Sequence, residues 1–350
     1  MSSARAVFRS ILPFLIGAPI LAALQPVMPP DYTLILVAVG VNVVLAVSLN
    51  VVNGFTGQFS LGHAGFMAVG AYTAAKITLA LSGVQFGFLP VGLSNQLVFA
   101  IALVAAMATA AIAGILVGMP SLRLRGDYLA IVTLGFGEII RSIIENMKFL
   151  GQATGLSGLP ARTNLVWVGM SAIATVVMAR RLAVSTQGRA LFAIREDEVA
   201  AEAMGVDTTG YKVRAFVISA AYAGLAGALI SHAIFLATPR MFTFIRSIEV
   251  VVMVVLGGLG SITGSVVSAI VLTISLELLR EFQAYRMVVY AILLIALMLT
   301  RPQGIFGTRE LWDLPFFRRL IRDRAVAAAG PAGASPVQVR DDSSGPKGVA

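Results

Sequence analysis

The stretch NGFTGQFSLGHAGF at residues 53–66 is a polar interruption between two long apolar runs. The run VAVGVNVVLAVSLNVV precedes it at 37–52, and MAVGAYTAAKITLAL follows it at 67–81. Its four glycines free the backbone from helical geometry, at roughly 1 kcal/mol each relative to alanine in a helix. Non-helical backbone at membrane depth persists only where it is buried in protein or lines a watery cavity. The stretch therefore predicts either a broken segment beside a cavity or an exposed interfacial loop.

The composition places these runs in a membrane. The chain has 350 residues, of which 58% are hydrophobic and 12% charged, and its mean hydropathy is +0.89. A soluble domain carries about 25% charged residues. Apolar runs long enough to cross roughly 30 Å of hydrocarbon recur along the chain. Because a helix satisfies its own backbone in lipid, we predict an all-α polytopic membrane protein with glycine-broken segments.

The hydropathy pattern predicts about ten transmembrane helices, within a range of eight to ten. Eighteen of the 26 Lys and Arg residues fall on the predicted inner side, seven on the outer side, and Lys76 within a span. This bias predicts that both termini lie inside. The predicted spans are 11–29, 33–52, 64–82, 97–118, 127–145, 164–182, 213–236, 248–262, 264–280 and 287–300.

Three regions organise the chain. Residues 1–30 form an N-terminal tail and a first membrane anchor, with Arg5 and Arg9 ahead of its apolar run. Residues 31–308 hold the main transmembrane domain. Residues 309–350 form a basic segment and a tail that is rich in small residues, Pro and Gly, which predicts disorder.

A second glycine-rich interruption, VVLGGLGSITGSVV, lies at 254–267. Transporters place substrate paths at broken helices, so we expect the two interruptions to approach each other and face such a path. Small residues at these positions would suit close helix packing equally well. A histidine metal site is not expected, since the chain has two histidines and a lone one is more often structural. The candidate path residues are Gly57, Gln58, Ser60, Gly62, His63, Gly257, Gly258, Gly260 and Thr263.

Residues 185–212 form the longest polar stretch between predicted spans. Asp197 can cap a short helix over 197–204, and Gly205 suits its C-terminal end. Small apolar residues on one side of this helix favour a groove on a partner protein. The alternative is a helix lying flat on lipid, which its acidic residues disfavour. The candidate docking residues are Arg195, Glu196, Asp197, Glu198, Val199, Glu202, Ala203, Met204 and Gly205.

Several function classes lack their sequence signatures. The chain has no G-x-x-x-x-G-K-[ST] phosphate loop, no H-E-x-x-H and no G-x-S-x-G, so we predict no catalytic residues, no metal and no cofactor. The net charge of +9 comes without the aromatic interleaving of a nucleic-acid surface. An ion-coupled carrier stays possible, because charged residues inside spans are usually functional. Its candidate residues are Lys76, Glu138, Glu249 and Glu277.

Four motifs together resemble the LivM-type permeases of branched-chain amino acid ABC transporters, over about residues 31–308. The motifs are NGFTGQFSLGHAGFMAVGAYTAA at 53–75, GRALFAIREDEVAAEAMGVDTTGYKVRAFVISAAYAGLAGAL at 188–229, FTFIRSIEVVVMVVLGGLGSITG at 242–264 and YRMVVYAILLIALMLTRPQGIFG at 285–307.

The resemblance implies a subunit of a bacterial inner-membrane importer. Its implied partners are a second, LivH-type permease, two cytoplasmic ATPases that hydrolyse the ATP, and a periplasmic substrate-binding protein. The loop at 195–205 resembles the coupling element that seats on the ATPase. The usual Glu-Ala-Ala order is not literal, because Glu198 precedes Val199. Branched-chain amino acids are the implied substrates, with other amino acids or amides such as urea as alternatives.

Overall fold

The computed structural model describes residues 28–82, 91–122 and 127–279, with isolated positions between 14 and 26 and between 288 and 307. Ten α-helices make up most of the three continuous ranges. They are α1 Pro30–Asn53, α2 His63–Ala80, α3 Val91–Ser121, α4 Asp127–Asn146, α5 Leu165–Val184, α6 Thr186–Glu196, α7 Glu198–Ala203, α8 Thr208–Ala233, α9 Phe244–Gly257 and α10 Ile262–Leu278.

The remaining regular structure is short. Three 3₁₀ turns lie at Lys148–Leu150, Gln152–Thr154 and Pro239–Phe242. Strands β1 (Leu156–Ser157) and β2 (Leu236–Ala237) pair antiparallel, with Leu156 opposite Ala237. This pair joins the connection after α4 to the connection after α8.

Length and hydropathy support a membrane-spanning protein. Within the described part of the chain, α1, α3, α5 and α8 are long and apolar enough to cross a bilayer, and α10 is a shorter apolar helix. The all-α membrane class is therefore confirmed. The number of spans and their orientation stay predictions, and the spans predicted at 11–29 and 287–300 fall largely outside the described residues.

Helices α1 and α8 form the centre of the bundle. Every residue from Val41 to Thr56 is buried, as expected for a helix that is hydrophobic all round. α1 packs against α5, α8, α9 and α10, while α8 also packs against α2 and α3. The first interruption therefore begins inside the core of the protein.

Glycine allows the closest helix crossing. A Cβ atom on Gly70 of α2 would lie 2.2 Å from the carbonyl oxygen of Gly224 in α8, and one on Gly224 would lie 2.4 Å from the Cβ of Ala110 in α3. Small residues at membrane helix contacts let backbones approach closely. Helix α8 thus packs between α2 and α3 with no room for a side chain at the crossing.

One predicted boundary changes in the structure. Asp207 caps α8, which runs without a break from Thr208 to Ala233. The span predicted from residue 213 therefore continues into the polar loop. The glycine-rich stretch connects α1 to α2, between the spans predicted at 33–52 and 64–82.

Candidate functional site

Polar side chains replace the missing helical hydrogen bonds in the first interruption. The amide of Ser60 donates to Asn53 Oδ1 at 3.2 Å, and the amide of Leu61 donates to Thr133 Oγ1 at 3.1 Å. The amide of Ala64 donates to Ser247 Oγ at 3.0 Å. Since a buried backbone amide without a partner is costly, these bonds fix the connection between α1 and α2 against α4 and α9.

The second interruption is the connection between α9 and α10. α9 ends at Gly257, and Gly258 and Gly260 have φ angles of +107° and +91°, which favour glycine. Ser261 then caps α10 by accepting a hydrogen bond from the amide of Gly264 at 3.0 Å. The isolated residue Gly307 also lies here, since a Cβ atom on Gly258 would be 2.3 Å from its carbonyl oxygen.

One buried amide joins the two interruptions. Asn50, which is 0% exposed, accepts a hydrogen bond from the amide of Gly260 at 2.9 Å. It also donates to the carbonyl oxygen of Ser261 at 3.0 Å. A Cβ atom on Gly54 would lie 2.3 Å from the nitrogen of Gly260. The structure thus places the two predicted segments in direct contact.

Arg195 extends this contact to the polar loop. Its Nη1 donates to the carbonyl oxygen of Gly54 at 3.1 Å, and a Cβ atom on Gly260 would lie 2.8 Å from the same nitrogen. The guanidinium carbon lies 5.3 Å from the ring centroid of Phe192, a cation–π distance. The Phe192 ring packs on Phe55 with centroids 5.0 Å apart. We call Asn50, Gly54, Gly260 and Arg195 the glycine junction.

Helix α7 begins three residues after Arg195 and presents an apolar face. Asp197 Oδ1 accepts hydrogen bonds from the amides of Val199 at 2.9 Å and Ala200 at 3.0 Å, which confirms the predicted cap. Gly205 has a φ of +83°, as the predicted C-terminal end requires. Val199 is 62% exposed and Met204 is 84% exposed. Ala200 and Ala203 are exposed as well.

The opposite side of α7 is anchored to the start of α8. Lys212, which is 2% exposed, forms an ion pair with Glu198 at 2.6 Å. The hydroxyl of Thr208 donates to Glu202 Oε1 at 2.8 Å, and Ala201 is buried. Because Glu198 and Glu202 attach α7 to α8, the apolar face of α7 remains exposed on the other side.

A pocket of about 290 Å³ lies between the first interruption and the α6–α7 connection. The side chain oxygen Oε1 of Gln58 is buried there with no hydrogen-bond partner among the described residues. The other lining residues are Thr56, Gly57, Phe59, Leu129, Ile194, Arg195, Glu196, Asp197 and Glu198. Two groups that the sequence assigned to separate roles, path and docking, therefore share one pocket.

The remaining predicted path residues are packed away from this pocket. Ser60, Gly62, His63 and Thr263 are buried. Nε2 of His63 lies 3.1 Å from Ser48 Oγ, which supports a structural histidine. Asn50, which the sequence reasoning missed, could have been found as an amide inside an apolar run.

Two of the four charged residues that the sequence places inside spans form ion pairs with neighbouring arginines. Glu138 pairs with Arg141 at 2.8 Å, and Glu249 pairs with Arg246 at 2.8 Å. These partners lie one helical turn away, at i,i+3 spacing. A carrier that moves ions through isolated carboxylates is therefore disfavoured at both positions.

These features define a multi-pass helical membrane protein whose polar loop is packed against its glycine-rich connections. The family model described as branched-chain amino acid transport system, permease component, matches residues 32–298. The chain belongs to this family. No solved structure matches the chain.

Curated relatives include two bacterial LivM permeases. The chain is 35% identical to the high-affinity branched-chain amino acid transport system permease protein LivM of Escherichia coli, over 91% of this chain and 78% of that protein. It is 37% identical to LivM of Salmonella typhimurium, over 76% of this chain and 67% of that protein. It is also 25% identical to LivH of Escherichia coli, over 76% of this chain and 91% of that protein.

Proposed function

We propose that the chain is the membrane-spanning permease subunit of an ATP-driven importer for branched-chain amino acids. It provides part of the translocation path and docks a cytoplasmic ATPase, and it carries out no chemistry itself. Family membership across residues 32–298 supports the class. The observation that carries the mechanism is the exposed apolar face of α7, fixed by its polar side to α8.

The assembly follows from the family. The similarity to both LivM and LivH proteins supports a pair of permeases in one transporter. We place two ATPases on the cytoplasmic side and a substrate-binding protein on the periplasmic side of a bacterial inner membrane. Ten spans with both termini inside would put α6 and α7 on the ATPase side.

Docking through α7 has a physical basis. Burial of apolar surface is favourable by about 25 cal/mol per Å², and Val199 and Met204 are exposed large hydrophobic residues. A short helix in a groove uses apolar residues at i and i+4 as anchors. Val199 and Ala203 have this spacing. The face is therefore suited to a groove on the ATPase.

The glycine junction would carry the movement of the docked loop to the path. Arg195 is the residue before Glu196 at the end of α6, and it contacts both interruptions. A displacement of α7 must move Arg195, because the two helices are separated by a single residue. The carbonyl of Gly54 and the amide held by Asn50 would then shift together.

Other functions have weaker support. An ion-coupled carrier would need available charged groups within its spans, and Glu138 and Glu249 are paired with neighbouring arginines. A permease for other amino acids or for amides such as urea would share this fold. The names of the relatives favour branched-chain amino acids.

The substitution Ala203→Arg tests ATPase docking. It places a charge at the centre of the apolar face, and burying an unpaired charge costs several kcal/mol. We expect normal membrane abundance, lost co-purification of the ATPase and lost uptake. Ala153→Arg is the matched control, because Ala153 is an exposed alanine in the 3₁₀ turn after α4. Normal ATPase binding by the Ala203→Arg variant would contradict the assignment.

A further inference from the structure

A groove of about 480 Å³ lies between α2 and α4, lined by their C-terminal halves and the 3₁₀ turn that follows α4. The N-terminal end of α4, at Leu129, lines the pocket beside Arg195, so the groove lies toward the opposite end of the helix. Its volume is in the usual range for small-molecule sites, roughly 300–1,000 Å³. Its walls include Tyr72, Thr73, Lys76, Ile140, Ile144 and Phe149.

Lys76 gives this groove a positive charge. Among the described lining residues it is the one with a charged side chain. Its Nζ lies 4.7 Å from the ring centroid of Phe149, which holds the ammonium over an aromatic face. Charged residues inside membrane segments are costly and usually mark a functional site. A lysine among aliphatic walls is suited to a ligand that carries both a carboxylate or phosphate group and an apolar group.

Tyr72 gives the groove a hydrogen-bonding group without a protein partner. Its side chain is 3% exposed, and its hydroxyl has no hydrogen-bond partner among the described residues. The Tyr72 ring packs edge-on against Phe242 with centroids 6.4 Å apart, so the ring is held in place. Tyr72 and Lys76 are four residues apart on α2 and therefore lie on one face of the helix. Both residues line the same groove.

We infer that this groove binds the transported aliphatic amino acid on its way through the permease. Lys76 binds the carboxylate, the Tyr72 hydroxyl hydrogen-bonds to it, and Ile140 and Ile144 contact the aliphatic side chain. This inference rests on the proposed import function, and it locates substrate recognition within the permease. A neutral amide such as urea offers neither the charge for Lys76 nor the apolar group for the isoleucines.

A phospholipid shares the combination of an anion and an apolar group. Two features favour the smaller molecule. The hydroxyl of Tyr72 is buried in the wall, where it suits a compact ligand, and the groove lies at the end of α4 away from the docking loop, where an importer receives its substrate. The experiment below distinguishes the two ligands.

The test uses the complete transporter, with both permeases, the ATPases and the binding protein, reconstituted in proteoliposomes. Uptake of radiolabelled leucine is measured for the wild type, Lys76→Met and Lys148→Met. Lys148 is an exposed lysine near the groove that does not line it. We expect Lys76→Met to lower uptake about tenfold, which corresponds to roughly 1.4 kcal/mol, with normal assembly. Lys148→Met should transport like the wild type.

A second measurement uses ligands that differ in charge. Leucine at millimolar concentration should raise the unfolding temperature of the wild-type complex of permeases and ATPases purified without the binding protein, and leucinamide, which lacks the carboxylate, should not. Tyr72→Phe removes one oxygen and keeps the ring, so it should assemble and lower uptake severalfold. If Lys76→Met fails to assemble, Tyr72→Phe and the comparison of leucine with leucinamide decide the matter.

The outcomes separate this inference from the proposed function. An assembled wild-type transporter that imports no branched-chain amino acid would overturn the proposed function. If the wild type imports substrate and uptake by Lys76→Met or Tyr72→Phe is unchanged, the inference about the groove is overturned and the proposed function is not. Loss of a co-purifying anionic phospholipid from Lys76→Met, with uptake preserved, would assign the groove to lipid. Equal stabilisation by leucine and leucinamide would also overturn it.

Discussion

Arg195 and Gly54 are separated by 141 positions in the chain, yet the Arg195 guanidinium donates a hydrogen bond to the carbonyl oxygen of Gly54 at 3.1 Å. Gly54 directly follows the last residue of α1, whose C-terminal half is buried throughout, and Arg195 lies at the end of the surface helix α6. The bond therefore links the interior of the bundle to the loop that we assign to ATPase docking.

Arg195→Ala should uncouple ATP hydrolysis from transport. Hydrogen bonds to charged groups are worth about 1.5–3 kcal/mol, so we expect uptake to fall about tenfold or more while the ATPase still co-purifies. The measurement is the ratio of substrate imported to ATP hydrolysed in proteoliposomes. Arg189→Ala, at an exposed arginine of the same helix, should leave this ratio unchanged. An unchanged ratio for Arg195→Ala would show that the glycine junction does not couple ATP hydrolysis to transport.

Asn50→Leu should destabilise the bundle. The substitution removes the acceptor of the Gly260 amide, and a buried unsatisfied group costs about 1–3 kcal/mol. We expect a lower unfolding temperature for the purified protein in detergent. Asn146→Leu is the control, because Asn146 is exposed on α4. Equal unfolding temperatures for the two variants would contradict the role of Asn50.

Lys212→Met should release α7 from α8. It removes the ammonium group that pairs with the Glu198 carboxylate, and removing one partner of a buried pair costs about 3–5 kcal/mol, less here because Glu198 is partly exposed. We expect weaker ATPase co-purification. Adding Glu198→Gln should restore part of it, since both charges are then removed. A double variant that binds the ATPase no better than Lys212→Met would argue against this ion pair.

Gly224→Val should prevent close packing of α2, α3 and α8. Its Cβ would overlap Ala110 at 2.4 Å and the carbonyl of Ala106 at 2.7 Å, and overpacking typically costs about 1–3 kcal/mol or more. We expect reduced membrane abundance and a lower unfolding temperature. Gly135→Val is the control, because a Cβ atom there has no neighbour within 4 Å. Comparable abundance of the two variants would show that the crossing tolerates a side chain.

Local sequence signals predicted α7 well. Its Asp197 cap and its Gly205 terminus depend on residues within one or two turns, and both appear as expected. The length of α8 was harder to predict, because Asp207 gives the same cap signal for a short helix as for a long one. Hydropathy placed the start of the span at residue 213, too late for α8. The charge of Lys212 suggests a loop, although in the fold Lys212 forms an ion pair with Glu198.

Long-range partners account for the rest of the site. Both interruptions are visible in the sequence as glycine clusters, and their approach was expected from transporters with broken helices. The residues that connect the two interruptions were not expected, because a buried amide such as Asn50 can form hydrogen bonds with any nearby backbone. Arg195 was assigned to the docking surface from its position in the loop. Its contact with Gly54 depends on how α6 packs against the residues that follow α1, which no local pattern encodes.

The partners of Asn50 also constrain the order in which the protein is made. Gly260 and Ser261 are synthesised 210 and 211 positions after the residue that they bind. Until those residues leave the ribosome and enter the membrane, the Asn50 side chain lacks its native hydrogen bonds. A polar group without a partner is costly in lipid, so the nascent N-terminal helices must stay hydrated, or held by the insertion machinery, until most of the chain has been translated. The hydrogen bonds that join the two glycine-rich connections therefore form late in biogenesis.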